Sequence, residues 1–118
     1  MLSLLMINLN MKIGDRVIKT LAQIIKIETR SADFLSRWGG EEFLILSPNT
    51  PLKGAERIAE RVRRTVEFLK IKDLPPFTIC IGVPSYRPKE KVEELLRRVD
   101  EALYMAKASG KNCVKMLD

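Results

Sequence analysis

The amino-acid sequence predicts one α+β domain in which helices pack on an antiparallel sheet, with the element order βαββαβ followed by a further helix and strand. Two observations support this class. Short runs rich in β-forming residues alternate with longer segments in which apolar residues recur every three or four positions. The 118 residues are 46% hydrophobic, and no repeat or low-complexity linker divides them. We therefore expect residues 1–118 to form a single domain.

The N-terminal part predicts a strand and then a helix. Residues 1–7 are almost entirely apolar, but the run is too short to cross a bilayer and no basic residues precede it as in a signal peptide. We therefore expect a buried strand and no membrane segment in this chain. Gly14-Asp15 is a typical helix start, and the apolar residues that follow predict a helix over 15–29.

Two runs of β-forming character flank the pair Gly39-Gly40. Residues 32–37 and 42–47 are short and apolar-rich, which fits antiparallel strands joined by a tight turn. Type I′ and II′ turns favour glycine because they need positive φ, so the turn alone would explain the pair. Pro51 then opens a second amphipathic helix, which should end near Lys70.

The remaining chain predicts a strand, a helix and a strand. Pro75-Pro76 ends helical structure, and residues 77–83 form an unbroken β-prone run that should lie centrally in the sheet with both faces covered. A third helix is expected over 89–108, closed by Gly110, and residues 113–117 offer a last strand. The first six elements have the order of a ferredoxin-like core, whose helices should cover one face of the sheet.

The composition restricts the chemistry. Lys and Arg number 21 against 15 Asp and Glu, and this net charge of +6 favours anionic ligands of any kind. The chain contains no His, so acid–base chemistry must rest on carboxylates, Lys, Tyr or metal ions. Cys80 and Cys113 form no C-x-x-C pair, which indicates neither a zinc site nor an oxidising compartment. A reducing, cytoplasmic environment is the simplest interpretation.

Two carboxylates, Glu41 and Glu42, follow the glycine pair immediately. Turn geometry does not explain them, because adjacent like charges repel each other. Glycine lets an anion approach backbone N–H groups, and neighbouring carboxylates can hold Mg²⁺ against phosphate oxygens. The run from Arg37 to Phe43 therefore predicts a site for a phosphorylated ligand and a hard cation.

Three segments together resemble the GGDEF family of nucleotidyl cyclases, the diguanylate cyclases, and the resemblance extends from Leu2 to the C-terminus. The segments are R-W-G-G-E-E-F at 37–43, F-T-I-C-I-G at 77–82 and D-E-A-L-Y-M-A-K at 100–107. The resemblance implies a nucleotidyl cyclase-like fold, cyclic di-GMP signalling and the condensation of two GTP molecules into cyclic di-GMP. It also implies Mg²⁺ as cofactor when GTP is bound, and a homodimer for catalysis, because two GTP-loaded domains must face each other.

The resemblance assigns roles to residues around the motif. Glu41 and Glu42 would be the catalytic residues, with Glu41 also activating the attacking hydroxyl. The metal site would consist of Glu41, Glu42, Asn8 and Leu9. The substrate-binding residues would be Gly39 and Gly40 beside the nucleotide, Asp15 at the guanine edge, and Lys107 and Lys111 at the phosphates. A helix cap at Asp15 and solvated lysines at a helix C-terminus are the purely structural explanations for the last three.

A second candidate site lies upstream of the motif. Arg30 and Asp33 spell R-x-x-D, which resembles the family's inhibitory site for the product cyclic di-GMP. Arg61, in the second helix, would supply a further cation to this inhibitory site. The structural alternative is an exposed ion pair that stabilises the fold by about 1 kcal/mol or less.

The sequence departs from the family pattern in three places. Asn8 stands where active members carry a metal-binding Asp, and a neutral amide binds Mg²⁺ less well. Between Asn10 and Gly14 the chain lacks part of the first strand–helix connection, including a guanine-contacting Asn, and the usual leading helix with its D-x-L-T-G-L-x-N-R motif is missing. We therefore expect a shortened GGDEF domain that binds cyclic di-GMP or GTP with impaired catalysis, coupled to an upstream sensor or regulatory domain.

Three alternatives remain. The intact motif favours an active diguanylate cyclase. The element order and positive charge also suit an RNA-binding module, but aromatic residues make up only 6% of the chain and residues 77–83 lack the paired aromatics that stack on bases. We therefore expect no nucleic-acid partner. A purely structural dimerisation module is the third possibility.

Overall fold

The computed structural model describes residues 2–9 and 14–117 of the chain and shows an α+β fold. The described residues form five strands and three helices in the predicted order. The elements are β1 (Leu2–Asn8), α1 (Asp15–Glu28), β2 (Phe34–Arg37), β3 (Glu42–Pro48), α2 (Leu52–Glu67), β4 (Cys80–Pro84), α3 (Val92–Ala108) and β5 (Cys113–Leu117). None of these helices is long and apolar enough to cross a membrane.

Three elements begin later than the sequence predicts. β2 begins at Phe34, because the preceding residues form a turn in which the N–H of Asp33 donates to the carbonyl of Arg30 at 3.0 Å. β4 begins at Cys80, which pairs with Asn8, the last residue of β1. α3 begins at Val92 because Lys89, with φ of 66°, lies outside the helical region.

The strands form one sheet in the order β2-β3-β1-β4-β5. β1 pairs antiparallel with β3 and with β4, and β2 pairs antiparallel with β3. The prediction of an antiparallel sheet is wrong at one edge, where β4 and β5 are parallel because α3 carries the chain back between them. β4 is buried along its whole length as predicted, but β1 and not β4 is the middle strand.

Helices cover both faces of the sheet. The helices of the ferredoxin-like core, α1 and α2, share one face as predicted, and the added helix α3 covers the other. Alternate residues of β1 point to opposite faces. Leu5 and Ile7 pack in a core with α1 and α2, whereas Leu4 and Met6 pack with α3. A strand covered on both faces favours apolar side chains at successive positions, which explains the apolar run Leu4 to Ile7 in β1.

Candidate functional site

One row of residues across the sheet brings several chain segments together. Asn8 of β1 pairs with Glu42 of β3 on one side and with Cys80 of β4 on the other, and Cys80 pairs with Cys113 of β5. Neighbouring strands lie about 4.8 Å apart, so the row spans about 14 Å from β3 to β5. The end of β1, the loop before β3 and the loop before β5 therefore lie at the same end of the sheet, which we call the loop end.

Asn8 and Glu42 are in direct contact at the loop end. The Nδ2 of Asn8 donates to Oε2 of Glu42 at 3.0 Å, and Asn8 is only 1% exposed. The amide of Asn8 thus satisfies one carboxylate oxygen of Glu42 by a hydrogen bond, without a cation. An Asp at this position would instead place a second negative charge beside Glu42, which a bound cation would offset.

Glu41 and Leu9 lie next to this contact. The N–H of Leu9 donates to the carbonyl of Glu41 at 3.2 Å, and both glutamate side chains are partly exposed. Leu9 is buried, so its backbone is the part that could serve a cation. The structure thus brings together all four residues predicted for the metal site. Carboxylate and carbonyl oxygens suit Mg²⁺, but within residues 2–9 and 14–117 no group of three or more acidic, His or Cys side chains surrounds a metal position.

The loop between β2 and β3 has the bounds that the predicted strands leave for it and contains Gly39-Gly40. Residues 38–41 separate the two strands, and neither glycine has φ in the left-handed region, so the type I′ or II′ turn is wrong. The loop is held from within, because the N–H groups of Trp38 and Gly39 donate to the Glu42 carbonyl at 2.9 and 3.3 Å. Arg37 also donates to the carbonyls of Gly39 and Gly40 at 3.2 and 2.8 Å.

The space above the two glycines is open. A Cβ added at Gly40 would meet no described atom within 4 Å, and one added at Gly39 would meet Glu42 Oε1 at 3.8 Å. Neither φ nor packing within the described chain therefore requires glycine at these positions. Close approach of a ligand to the backbone does require it.

Lys107 and Lys111 lie where α3 leads into β5, which is the loop end of the sheet. The N–H of Gly110 donates to the carbonyl of Lys107, and the N–H of Lys111 donates to that of Ala106, both at 3.3 Å. This is the Schellman arrangement of a helix C-terminus, with φ of 106° at Gly110. Lys107 is partly buried and Lys111 is exposed. Both lysines therefore lie at the loop end, with two strands between β5 and the strand of Glu42.

Asp15 is the first residue of α1 rather than its cap, because Gly14 occupies the N-cap position. Its exposed carboxylate lies in the first turn, where a negative charge complements the helix dipole. Six residue steps join Leu9 to Asp15, so the two residues lie at most about 21 Å apart. The shortened connection noted in the sequence falls on residues 10–13, which lie outside the described residues.

Arg30 and Asp33 form a close pair away from the loop end. Arg30 Nη2 lies 3.1 Å from Asp33 Oδ1, and the backbone N–H of Arg30 donates to Oδ2 at 2.8 Å. The Asp33 side chain is 1% exposed whereas that of Arg30 is 49% exposed. Burial favours a higher pKa for Asp33, but the hydrogen bonds and the charge of Arg30 together hold that pKa below its usual value. The pair therefore joins a buried carboxylate to the guanidinium of a side chain that is 49% exposed.

Arg30 is fixed from a second side as well. Its Nη2 donates to the carbonyl of Pro48 at 3.2 Å and to the hydroxyl oxygen of Thr50. Thr50 Oγ1 in turn donates to the Pro48 carbonyl at 2.9 Å. These hydrogen bonds fix the orientation of the Arg30 guanidinium before any ligand binds.

A surface groove of about 440 Å³ opens beside Arg30. The residues that line it include four cations and no carboxylate among the described part of the chain. They are Arg30, Thr50, Pro51, Lys53, Gly54, Arg57, Ile58 and Arg61. We call this the basic groove. Arg61 also binds Glu28, with Nη2 2.9 Å from the Glu28 carbonyl and Nε 3.5 Å from Oε2.

Sequence analysis found Arg30 and Arg61 for this groove but missed Lys53 and Arg57. The signal was present, because Lys53, Arg57 and Arg61 recur every four residues and share one face of α2. A basic helix face is usually solvated, so these cations indicate a binding groove only because Arg30 lies across from them.

Comparison with known proteins identifies the family. Residues 8–113 match the family described as "Diguanylate cyclase, GGDEF domain". This match covers most of the chain, and the chain belongs to the GGDEF family.

Individual relatives agree with the family match. "Diguanylate cyclase DgcM" of Escherichia coli (strain K12) is 46% identical over 101 residues, which are 86% of this chain and 25% of that protein. The chain thus spans about a quarter of the length of this curated relative.

Two solved structures confirm the nucleotidyl cyclase-like fold. The active GGEEF domain of a diguanylate cyclase from Vibrio cholerae matches with a TM-score of 0.89 and 28% identity, covering 99% of this chain and 83% of that one. The GGDEF domain of DgcB from Caulobacter crescentus, solved in complex with c-di-GMP, matches with a TM-score of 0.86 and 25% identity, covering 98% and 77%.

Proposed function

We propose that this GGDEF domain acts in cyclic di-GMP signalling by binding cyclic di-GMP in the basic groove and GTP with Mg²⁺ at the loop end, with impaired condensation of GTP. The observation that carries the proposal is the basic groove. Arg30 is held by a buried carboxylate on one side of the groove, and a stripe of three cations on α2 forms the other side.

Cyclic di-GMP suits the groove because it presents two phosphates and two guanines. Arginine binds phosphate oxygens through two parallel N–H donors, and it can bind the O6 and N7 acceptors of guanine in the same way. Lys53 and Arg57 add two positive charges to those of Arg30 and Arg61, which are paired with Asp33 and Glu28, and together they favour a ligand with two phosphates. The similarity to a DgcB domain that was solved with c-di-GMP supports this ligand.

GTP suits the loop end for different reasons. The glycine loop leaves its backbone open, and Lys107 and Lys111 lie where α3 leads into β5, at the same end of the sheet as Glu42. The carboxylates of Glu41 and Glu42 would hold Mg²⁺, which neutralises charge on the reacting phosphate when it is bound. Glu41 would accept the proton of the attacking hydroxyl, and a second copy of the domain would supply the other GTP.

Asn8 is the reason for proposing impaired rather than full synthesis. Its amide supplies no charge to Mg²⁺ and hydrogen bonds to one oxygen of Glu42. The sequence G-G-E-E-F itself is compatible with activity, since the matched Vibrio cholerae domain carries that motif and is described as active. An active diguanylate cyclase is therefore the second candidate function. An upstream sensor or regulatory domain is part of the proposal, in keeping with relatives about four times as long.

Calorimetric titration with cyclic di-GMP tests the groove. We expect Arg30→Ala and Arg57→Ala each to weaken binding about tenfold or more, which corresponds to about 1.4 kcal/mol. Arg64→Ala is the matched control, because Arg64 lies on the same helix but does not line the groove. Equal affinities of all three variants and the unaltered protein would show that cyclic di-GMP does not use this groove.

Incubation with GTP and Mg²⁺, followed by chromatography, tests catalysis. We expect GTP binding with little or no cyclic di-GMP formed. Sustained formation of cyclic di-GMP that is lost in Glu41→Ala would show that the domain is an active cyclase and that the proposal of impaired catalysis is wrong.

A further inference from the structure

Three consecutive residues between α3 and β5 have left-handed backbone conformations. Their φ angles are 106° at Gly110, 62° at Lys111 and 44° at Asn112, and we call this segment the 110–112 turn. The Schellman arrangement that ends α3 explains Gly110. It does not explain Lys111 and Asn112, which carry a Cβ and are disfavoured in this region, Lys more than Asn. Other contacts must hold the last two residues.

The side chain of Asn112 is clamped between two residues of α2. Arg63 Nη1 donates to Asn112 Oδ1 at 3.1 Å, and Asn112 Nδ2 donates to Glu67 Oε2 at 2.5 Å. The two ends of the amide thus meet partners of opposite character, an obligatory donor and an acceptor. This fixes the orientation of the amide and ties the turn to the last two turns of α2.

Arg63 is committed to this clamp and to its own helix. Its Nε and Nη2 donate to the two oxygens of Glu60 at 3.0 and 3.1 Å, and its Nη1 donates to Glu67 at 3.2 Å. The Arg63 side chain is only 14% exposed. The hydrogen bond from Asn112 is the leading cause of a lowered pKa of Glu67, so this carboxylate is charged at neutral pH. Arg63 therefore supports the turn rather than a ligand.

We propose that Arg63, Glu67 and Asn112 are positioning residues that hold the 110–112 turn in its left-handed conformation and so direct Lys111 toward the nucleotide at the loop end. The proposal rests on the proposed function, because Lys111 must bind the phosphates of GTP. A flexible lysine gains affinity when its backbone is fixed, since less conformational freedom is lost on binding. Release of the clamp would let Lys111 return to an ordinary φ and change the direction of its Cα–Cβ bond.

Two variants and one control test the clamp by calorimetry with GTP and Mg²⁺. Asn112→Gly removes the side-chain contacts but favours the left-handed φ, so it separates the clamp from simple backbone preference. Glu67→Ala removes the acceptor from the other side. Glu56→Ala is the control, because it makes the same change of charge at an exposed position on α2. We expect the first two variants to bind GTP about tenfold more weakly and the control to bind like the unaltered protein.

A double-mutant cycle shows whether the clamp acts through Lys111. In a Lys111→Ala background, Asn112→Gly should cause no further loss of GTP affinity. A clamp that stabilises only the fold would cost the same in both backgrounds. Affinity for cyclic di-GMP, measured in parallel, should stay unchanged in every variant, because the basic groove uses none of these residues.

The outcomes separate this proposal from the proposed function. Unchanged GTP affinity in Asn112→Gly and Glu67→Ala would overturn the clamp while leaving the nucleotide site intact. Equal losses for GTP and cyclic di-GMP would indicate general destabilisation and would also overturn it. If the unaltered protein binds no GTP, Lys111 does not bind the phosphates of GTP. The proposed GTP site and the clamp would then both be wrong.

Discussion

The side-chain amide of Asn8 donates to the carboxylate of Glu42 across the β1–β3 pair at 3.0 Å. Asn8 is buried and Glu42 is partly exposed, and the contact lies beside Glu41, where the predicted metal site would form. Hydrogen bonding to the charged form of Glu42 stabilises that carboxylate without any cation. We therefore expect the charge at position 8 to determine how strongly Mg²⁺ binds beside Glu42.

Asn8→Asp should make the fold dependent on Mg²⁺. Without the ion, two carboxylates face each other and one hydrogen bond is lost, which we expect to lower the free energy of unfolding by about 1–3 kcal/mol. Added Mg²⁺ should restore stability, because an ion that binds only the folded state raises the unfolding midpoint. Urea unfolding with and without Mg²⁺ measures both effects.

Asn49→Asp is the matched control for this experiment. Asn49 is exposed and follows β3 at the end of the sheet opposite the loop end. The same change of charge there should give no difference between the two conditions. An equal response to Mg²⁺ in the unaltered protein, Asn8→Asp and Asn49→Asp would contradict a metal site beside Glu42.

Asp33 should stabilise the protein in a way that depends on pH. Its pKa is lower in the folded protein than its usual value, so its contribution is complete above the unfolded pKa and lost as the pH falls through the folded pKa. The difference in urea midpoint between the unaltered protein and Asp33→Asn should therefore be largest near neutral pH and shrink below about pH 4. Asp100→Asn, at an exposed position on α3, is the control. A difference that grew on acidification would contradict this assignment.

The order of elements and the family were readable from sequence because they depend on local signals. Helical periodicity, a β-prone run and the G-G-E-E-F motif are each defined by residues that lie close together in the sequence. The side of the sheet that α3 covers was not readable. β1 and β4 are buried on both faces, so their residues show no alternation that would assign a helix to a face.

The sites divide in the same way. The proximity of Asn8 to Glu42 was predictable because the family motif and the strand order place both residues at the same end of the sheet. Lys53 and Arg57 of the basic groove were missed, because a cation on a helix is usually solvated and only the position of Arg30 across the groove distinguishes these two. The conformation of Gly39-Gly40 was also missed, because the turn statistics describe two-residue hairpins and this loop has four residues.

Glu90 and Arg98 should stabilise the fold only as a pair. They form a buried ion pair of 2.7 Å with side chains 7% and 9% exposed, and Arg98 Nη2 also donates to the Ser85 carbonyl and hydroxyl at 3.0 and 2.8 Å. Glu90→Ala leaves a buried guanidinium without its counter-charge, which we expect to cost about 3–5 kcal/mol in urea unfolding.

The double variant Glu90→Leu with Arg98→Met tests the reason for that cost. It removes both charges and keeps apolar volume, so it should be more stable than Glu90→Ala. Glu101→Ala, an exposed acid on α3, serves as the control for loss of one carboxylate. A double variant less stable than the single one would mean that the ion pair itself, rather than the unpaired charge, accounts for the stability.

Gly82 lies where α3 comes closest to β4. A Cβ added there would stand 2.4 Å from the backbone nitrogen of Leu103 and 2.8 Å from the carbonyl carbon of Ala102. These atoms belong to a helix and cannot rotate away, so Gly82→Ala has to displace α3 as a whole. We expect a loss of about 1–3 kcal/mol in urea unfolding. Gly40→Ala, where a Cβ meets no described atom within 4 Å and φ is not left-handed, should change stability by about 0.5 kcal/mol or less.

Displacement of α3 should also affect the two ligand sites differently. α3 carries Lys107 and leads into the 110–112 turn, so Gly82→Ala should weaken binding of GTP with Mg²⁺. The basic groove is built from α2 and from residues next to β2 and β3, with no contribution from α3, so affinity for cyclic di-GMP should remain that of the unaltered protein. Calorimetry with both ligands at a temperature where the variant is folded measures the contrast. An equal effect on both affinities would mean that the sheet transmits the shift and that the two sites are mechanically coupled.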